Sequence, residues 1–183
     1  MKTLLRALIL LLVVLWLGGV MFFPVVAASA FSSTTDTHLA GTVVRKCLMA
    51  LHYEGLFAGA LIVILLLIAH AAGAFRRSVI APVAVTLVML ALTSFSQFWI
   101  IPRMESYRIA AGGAIDAVDR GNPDRVAFNK LHVVSERVEV GVLLGGILLV
   151  VLLAANYVDR SPGQKGLIHS GLSPGRCYDQ RLA

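Results

Sequence analysis

Histidine, carboxylate and hydroxyl side chains recur at helical spacing in the stretch 128–157, FNKLHVVSERVEVGVLLGGILLVVLLAANY. At about 100° per residue, His132, Ser135, Glu136, Glu139 and Gly146 share one stripe of a helix. A second set, His52, Tyr53 and Glu54, opens another apolar run, and Thr93, Ser94 and Gln97 sit in a third. Imidazole with carboxylate is a donor set that suits several transition metals, so His52, His132 and Glu139 are candidate metal ligands. His52 and His132 could instead hold a haem between them. A third chemistry is passage of a proton or small solute along the polar stripe. The plainest alternative is a satisfied polar network that only fixes helix packing. Tyr53, Glu54, Gln97, Ser135 and Glu136 complete the cluster under any of these readings.

The elements that must position these residues are long apolar runs. The chain has 183 residues, of which 58% are apolar and 14% charged. Soluble domains run near 45–50% apolar and about 25% charged. The excess is gathered into runs, which makes this an all-α integral membrane protein with room for one four-helix bundle over residues 1–157. Spans are expected over residues 4–28, 47–72, 79–101 and 132–157. Ala28-Ser29-Ala30 reads like a signal-peptide cleavage site, but the run before it exceeds the roughly 7–15 apolar residues of a signal peptide. It is expected to be an uncleaved first span. Asp36 or Thr37 can cap the second helix, and Arg76 and Arg77 lie in a tight turn after it. Helical character continues past Pro102 to about Val118. Asn122 is a good N-cap and Pro123 suits the first position of the last helix. Residues 158–183, rich in Gly, Ser and Pro, are expected to form a disordered cytoplasmic tail.

The net charge of +6 does not indicate nucleic acid, because the basic residues flank apolar runs, where they set topology. Lys2, Arg6, Arg76 and Arg77 decide the orientation, with both termini cytoplasmic in an inner (plasma) membrane. The polar residues of the last three helices then lie in the outer half of the bilayer or just above it. Helix packing is expected at Gly18, Gly19, Gly55, Gly59, Gly141, Gly145 and Gly146, since small residues let backbones approach. Gly141 and Gly145 lie opposite the polar stripe, which suits an interior helix. If Gly55 and Gly141 stand at equal depth, Glu139 and His52 differ in height by about one residue, and a contact between them is expected. The lipid bilayer is the expected partner, with a homo-oligomer or another membrane protein possible beside it. Cys47 and Cys177 fall at opposite ends of this layout, which argues against a disulfide, and no paired cysteine motif suggests zinc. No phosphate-binding glycine loop or Gly-x-Ser-x-Gly is found, so a non-enzymatic role is expected.

Three segments resemble a known family. These are Leu15-Trp16-Leu17-Gly18-Gly19, the His52–Gly55–Gly59 segment, and Phe128-x-x-Leu131-His132-x-x-Ser135. Together with the layout of residues 1–157 they are similar to the transmembrane protein 205-like family, whose bacterial members carry the label domain of unknown function 4149. The resemblance implies a four-helix membrane protein without an established activity. A link of eukaryotic relatives to platinum-drug resistance implies metal handling, and a similar layout in copper-resistance proteins and haem-linked protoporphyrinogen oxidases points the same way. Where the family is expected to carry an Asn a few residues after Ser135, this chain reads Glu136-Arg137-Val138-Glu139.

Overall fold

The structure is a computed structural model and describes residues 2–75 and 78–158. Among these residues it is all helical: α1 (Lys2–Ser33), α2 (Thr37–Ala71), α3 (Ile80–Phe95), a π-helical turn (Ser96–Ile100), α4 (Ile101–Ala110) and α5 (Pro123–Val158). Four helices are long and apolar enough to cross a membrane: α1, α2, the continuous Ile80–Ala110 segment and α5. Their environment is therefore a lipid bilayer. The Arg76–Arg77 pair and the tail from residue 159 onward lie outside the described residues.

Each helix buries one stripe and leaves the rest apolar. In α1 the buried residues are Arg6, Ile9, Val13, Trp16 and Val20, spaced by three or four. In α2 they include Gly55, Ala58, Gly59, Ile62, Leu66 and Ala69. Large apolar side chains such as Leu11, Val14, Phe57 and Leu144 point away from the bundle. A helix apolar all round is expected where the outer solvent is hydrocarbon.

Helix ends follow local chemistry. Asp36 caps α2, its Oδ1 accepting the Leu39 N–H at 3.0 Å. Asn122 caps α5, its Oδ1 accepting the N–H groups of Asp124 and Arg125 at 2.9 and 3.3 Å. The helix expected to run to Val118 instead stops at Ala110. The reason lies in Gly112 and Gly113, whose φ values of 82° and 92° belong to the left-handed region that ends helices.

The helices pack in the cyclic order α1, α2, α3, α5, with α4 lying on α5. Helices α2 and α5 thus face each other across the diagonal. Glycines set the close approaches. A Cβ at Gly55 would overlap the Trp16 indole, and one at Gly59 would stand 2.7 Å from both Trp16 and Leu90. Gly19 backs onto Leu51, Gly141 and Gly145 face Leu92 and Met89, and Gly146 faces Leu17. So α5 packs closely on α3 with one side and on α1 with another. Gly18 is the exception: nothing lies within 4 Å of a Cβ there. It falls two residues from both Trp16 and Val20, about 200° around the helix from that buried stripe, so its side faces outward.

The aromatic and basic residues mark the depth. Trp99 stacks on Phe95, centroids 4.9 Å apart, and Arg103 lies 4.0 Å above the Trp99 ring. Such amphipathic pairs favour the membrane–water boundary. Gln97 is one helical turn or less from this boundary. At the opposite end Arg6 lies over the Phe75 ring at 5.4 Å, near Lys2. We call the Trp99–Arg103 end, which also carries the α1–α2 connection, the distal end.

Candidate functional site

His52 is the centre of the site. It is 2% exposed, and the α2 face that carries it also carries Gly55 and Gly59. The closeness those glycines allow places its imidazole inside the bundle. Its Nε2 lies 2.6 Å from Glu139 Oε1 on α5, and its Nδ1 lies 3.0 Å from Gln97 Oε1 on the π-helical turn. Three helices are joined through one ring. The bond to Glu139 spans the diagonal between helices that make little other contact.

The π-helical turn explains how Gln97 arrives there. The Ile101 N–H bonds to the Ser96 carbonyl, five residues back rather than four. Pro102 follows immediately, and a proline in a regular helix would clash with the carbonyl four residues before it. Widening the turn before it relieves that crowding. The extra residue turns Ser96 and Gln97 inward, at 0% and 4% exposure. With Thr93, also buried, they form a polar strip on a helix otherwise rich in Leu, Val and Phe.

A buried imidazole against a carboxylate can exchange a proton with it through Nε2, while the Gln97 amide at Nδ1 orients the ring and relays no proton. With Nε2 protonated, His52 donates to Glu139 and the Gln97 amide must turn its NH₂ toward Nδ1. With both nitrogens protonated, His52 donates to both oxygens as they stand. The switch needs a rotation of one amide and no helix movement.

The other expected site residues are distributed differently. Glu139 is half-buried, and Ser135 is 6% exposed one turn above it. His132 lies a further turn out and pairs with Glu136, Nε2 to Oε1 at 3.3 Å, with both side chains more than half exposed. His132 and Glu139 share a stripe but are separated by about 10 Å of helix rise. Tyr53 turns away from the cluster and is 53% exposed, because one residue after His52 the helix has rotated by about 100°. Glu54 turns toward α1, its Oε2 being 3.8 Å from a Cβ placed at Gly19, and its Oε1 is buried without a partner among the described residues.

This distribution bears on what could be bound. Among the described residues no group of three or more His, Cys, Asp or Glu is placed to hold a metal ion. Both ring nitrogens of His52 already face hydrogen-bonding partners, so neither is directed at a haem iron. The described residues thus gather a His–Gln–Glu cluster, with no third His, Cys, Asp or Glu placed to complete a metal site.

A cavity of about 960 Å³ opens above the cluster at the distal end, bounded by α1, α2, α4, α5 and the 113–117 loop. Glu139 and Ser135 form part of its wall, and Val20, Leu51 and Leu143 lie deepest. Near its mouth Glu105 joins two arginines: its Oε1 accepts from Arg108 Nη2 at 2.8 Å, and its Oε2 is 3.5 Å from Arg45 Nε. Arg108 Nη1 also donates to Thr42 Oγ1 at 3.0 Å, tying α4 to α2. The sequence alone did not point to this four-residue network. The Glu105–Arg108 spacing of three was its one visible signal, since residues three apart are neighbours on a helix.

No curated protein and no solved structure matches the chain. A family model does match, over residues 11–112, more than half the sequence. That region holds most of α1, all of α2 with His52, α3, the π-helical turn with Gln97, and α4. The protein belongs to the family described as domain of unknown function (DUF4149).

Proposed function

We propose that the protein takes up a small solute from the distal side of the membrane into the cavity, with Glu139 in its wall backed by the buried His52 and Gln97. The observation that carries this reading is the double position of Glu139: it lines a cavity of about 960 Å³ and bonds the buried His52. That volume lies at the upper end of the roughly 300–1,000 Å³ typical of small-molecule sites. Pockets of this kind combine apolar walls with a few fixed polar groups, and this one has both. The distal side is the extracytoplasmic side of an inner membrane, with both termini cytoplasmic, as Lys2 and Arg6 favour. Kinship with transmembrane protein 205-like proteins belongs to the same reading. The apolar outer faces suit lipid, and a second copy or a membrane partner could share them.

Thiol labelling tests it. Cys47 and Cys177 are replaced, and Ser135→Cys supplies one thiol in the cavity wall. In right-side-out vesicles a membrane-impermeant maleimide should label that thiol. Adding Gly41→Phe should block labelling, because Gly41 lines the cavity and a side chain there meets nothing within 4 Å. A Ser135→Cys thiol that stays unlabelled from outside, or labels equally well with Gly41→Phe, overturns the proposal.

A further inference from the structure

The cavity's lining also bears on the class of solute. Its charged residues are unevenly matched. Asp36, Glu105, Asp116, Glu136 and Glu139 face two guanidiniums, Arg45 and Arg108. Both arginines are engaged by a single carboxylate, Glu105. Among the described residues, Asp116 has a distant partner in Arg125, at 3.9 Å, and Glu136 and Glu139 pair with histidines, His132 and His52. His38 and His132 also line the cavity, so the excess of five carboxylates over two guanidiniums is counted with these imidazoles neutral. The walls between these groups are apolar and carry three phenylalanines, Phe23, Phe31 and Phe128.

We infer that the solute is a lipophilic organic cation, held by the carboxylate excess at Glu136 and Glu139 and by the faces of Phe23, Phe31 and Phe128. This rests on the solute-uptake reading above and names its substrate class. Two independent physical terms favour it. Between low-dielectric apolar walls, carboxylates attract a cation more strongly than in bulk water. Aromatic rings add attraction to a cation over their faces. An anion of the same size would meet the same apolar walls but the wrong charge. Among the described residues no group of three or more His, Cys, Asp or Glu converges to hold a small ion, so the carboxylates suit a larger cation better.

The test uses a pair of probes alike in shape and opposite in charge. The full chain is reconstituted in lipid nanodiscs and titrated calorimetrically with tetraphenylphosphonium or tetraphenylborate, with empty nanodiscs as the baseline. Saturable binding of one tetraphenylphosphonium per chain is expected, with tetraphenylborate bound at least tenfold more weakly. Glu136→Gln, an exposed and conservative change, should weaken tetraphenylphosphonium several-fold, and Gly41→Phe should abolish saturable binding. Equal or tighter binding of tetraphenylborate would overturn the cation class while sparing the cavity as a solute site. Absence of saturable binding for both probes, or binding indifferent to Gly41→Phe, would overturn the inference and count against the uptake reading as well.

Discussion

His52 on α2 and Glu139 on α5 meet at 2.6 Å across the diagonal of the bundle, although 87 residues separate them in sequence. They form a polar crosslink in a core otherwise built from Trp16, Ile62, Leu66, Met89, Leu149 and Leu153. Gln97 closes the cluster from the third side at 3.0 Å. A buried polar group left without its partner costs about 1–3 kcal/mol.

Truncating Glu139→Ala should therefore lower bundle stability by about 1–3 kcal/mol, while Glu139→Gln, which keeps an oxygen for His52, should cost less. Thermal unfolding in a mild detergent, followed by circular dichroism, checks the order of the two. Equal midpoints for wild type and Glu139→Ala would show that the contact contributes nothing.

Gln97 and Glu139 act through the same ring, so their effects should not add. In a double-mutant cycle with Gln97→Leu and Glu139→Gln we expect a coupling energy of roughly 0.5–3 kcal/mol, as for residues sharing one hydrogen-bond network. Simple additivity would mean that the two bonds to His52 are energetically separate.

The glycines make a sharper contrast. Gly55→Leu forces a side chain into the space of the Trp16 indole, whereas Gly18→Leu enters open space on the outer face. Overpacking typically costs about 1–3 kcal/mol. The Gly55 variant should unfold at a clearly lower temperature and Gly18→Leu close to the wild-type value. Matching midpoints would contradict the α1–α2 packing described here.

The two tryptophans should report different depths. With Trp16→Phe, the fluorescence of Trp99 should be quenched most by lipids brominated near the headgroup, since its Phe95 and Arg103 neighbours place it at the boundary. With Trp99→Phe, the remaining Trp16, 2% exposed, should be quenched weakly at every depth. Strongest quenching of Trp99 by deeply brominated chains would move the His52 cluster further into the bilayer.

Much of this arrangement is legible in the sequence. Apolar run length sets the four helices, Asp36 and Asn122 carry their caps in their side chains, and helical periodicity puts Ser135 and Glu139 on one face. Even the His52–Glu139 contact follows from aligning Gly55 with Gly141 in depth. Three features do not follow. The π-helical turn comes from how Pro102 is accommodated, and a 3.6-residue period has no sign of it. The end of α4 depends on Gly112 and Gly113 adopting positive φ, one of several conformations open to glycine. The cavity is a property of packing: Phe23, Phe31, Arg45 and Glu105 come from α1, α2 and α4 and line one space only once those helices are assembled.

The most direct measurement compares two thiols on α5 in a chain lacking Cys47 and Cys177. Ser135→Cys faces the cavity, whereas Val142→Cys, two turns deeper and 1% exposed in wild type, lies in the core. An aqueous maleimide added from the distal side should react with the first at least tenfold faster than with the second. Equal rates, or protection of both, would contradict a solute-accessible cavity reaching down to the His52–Glu139 pair.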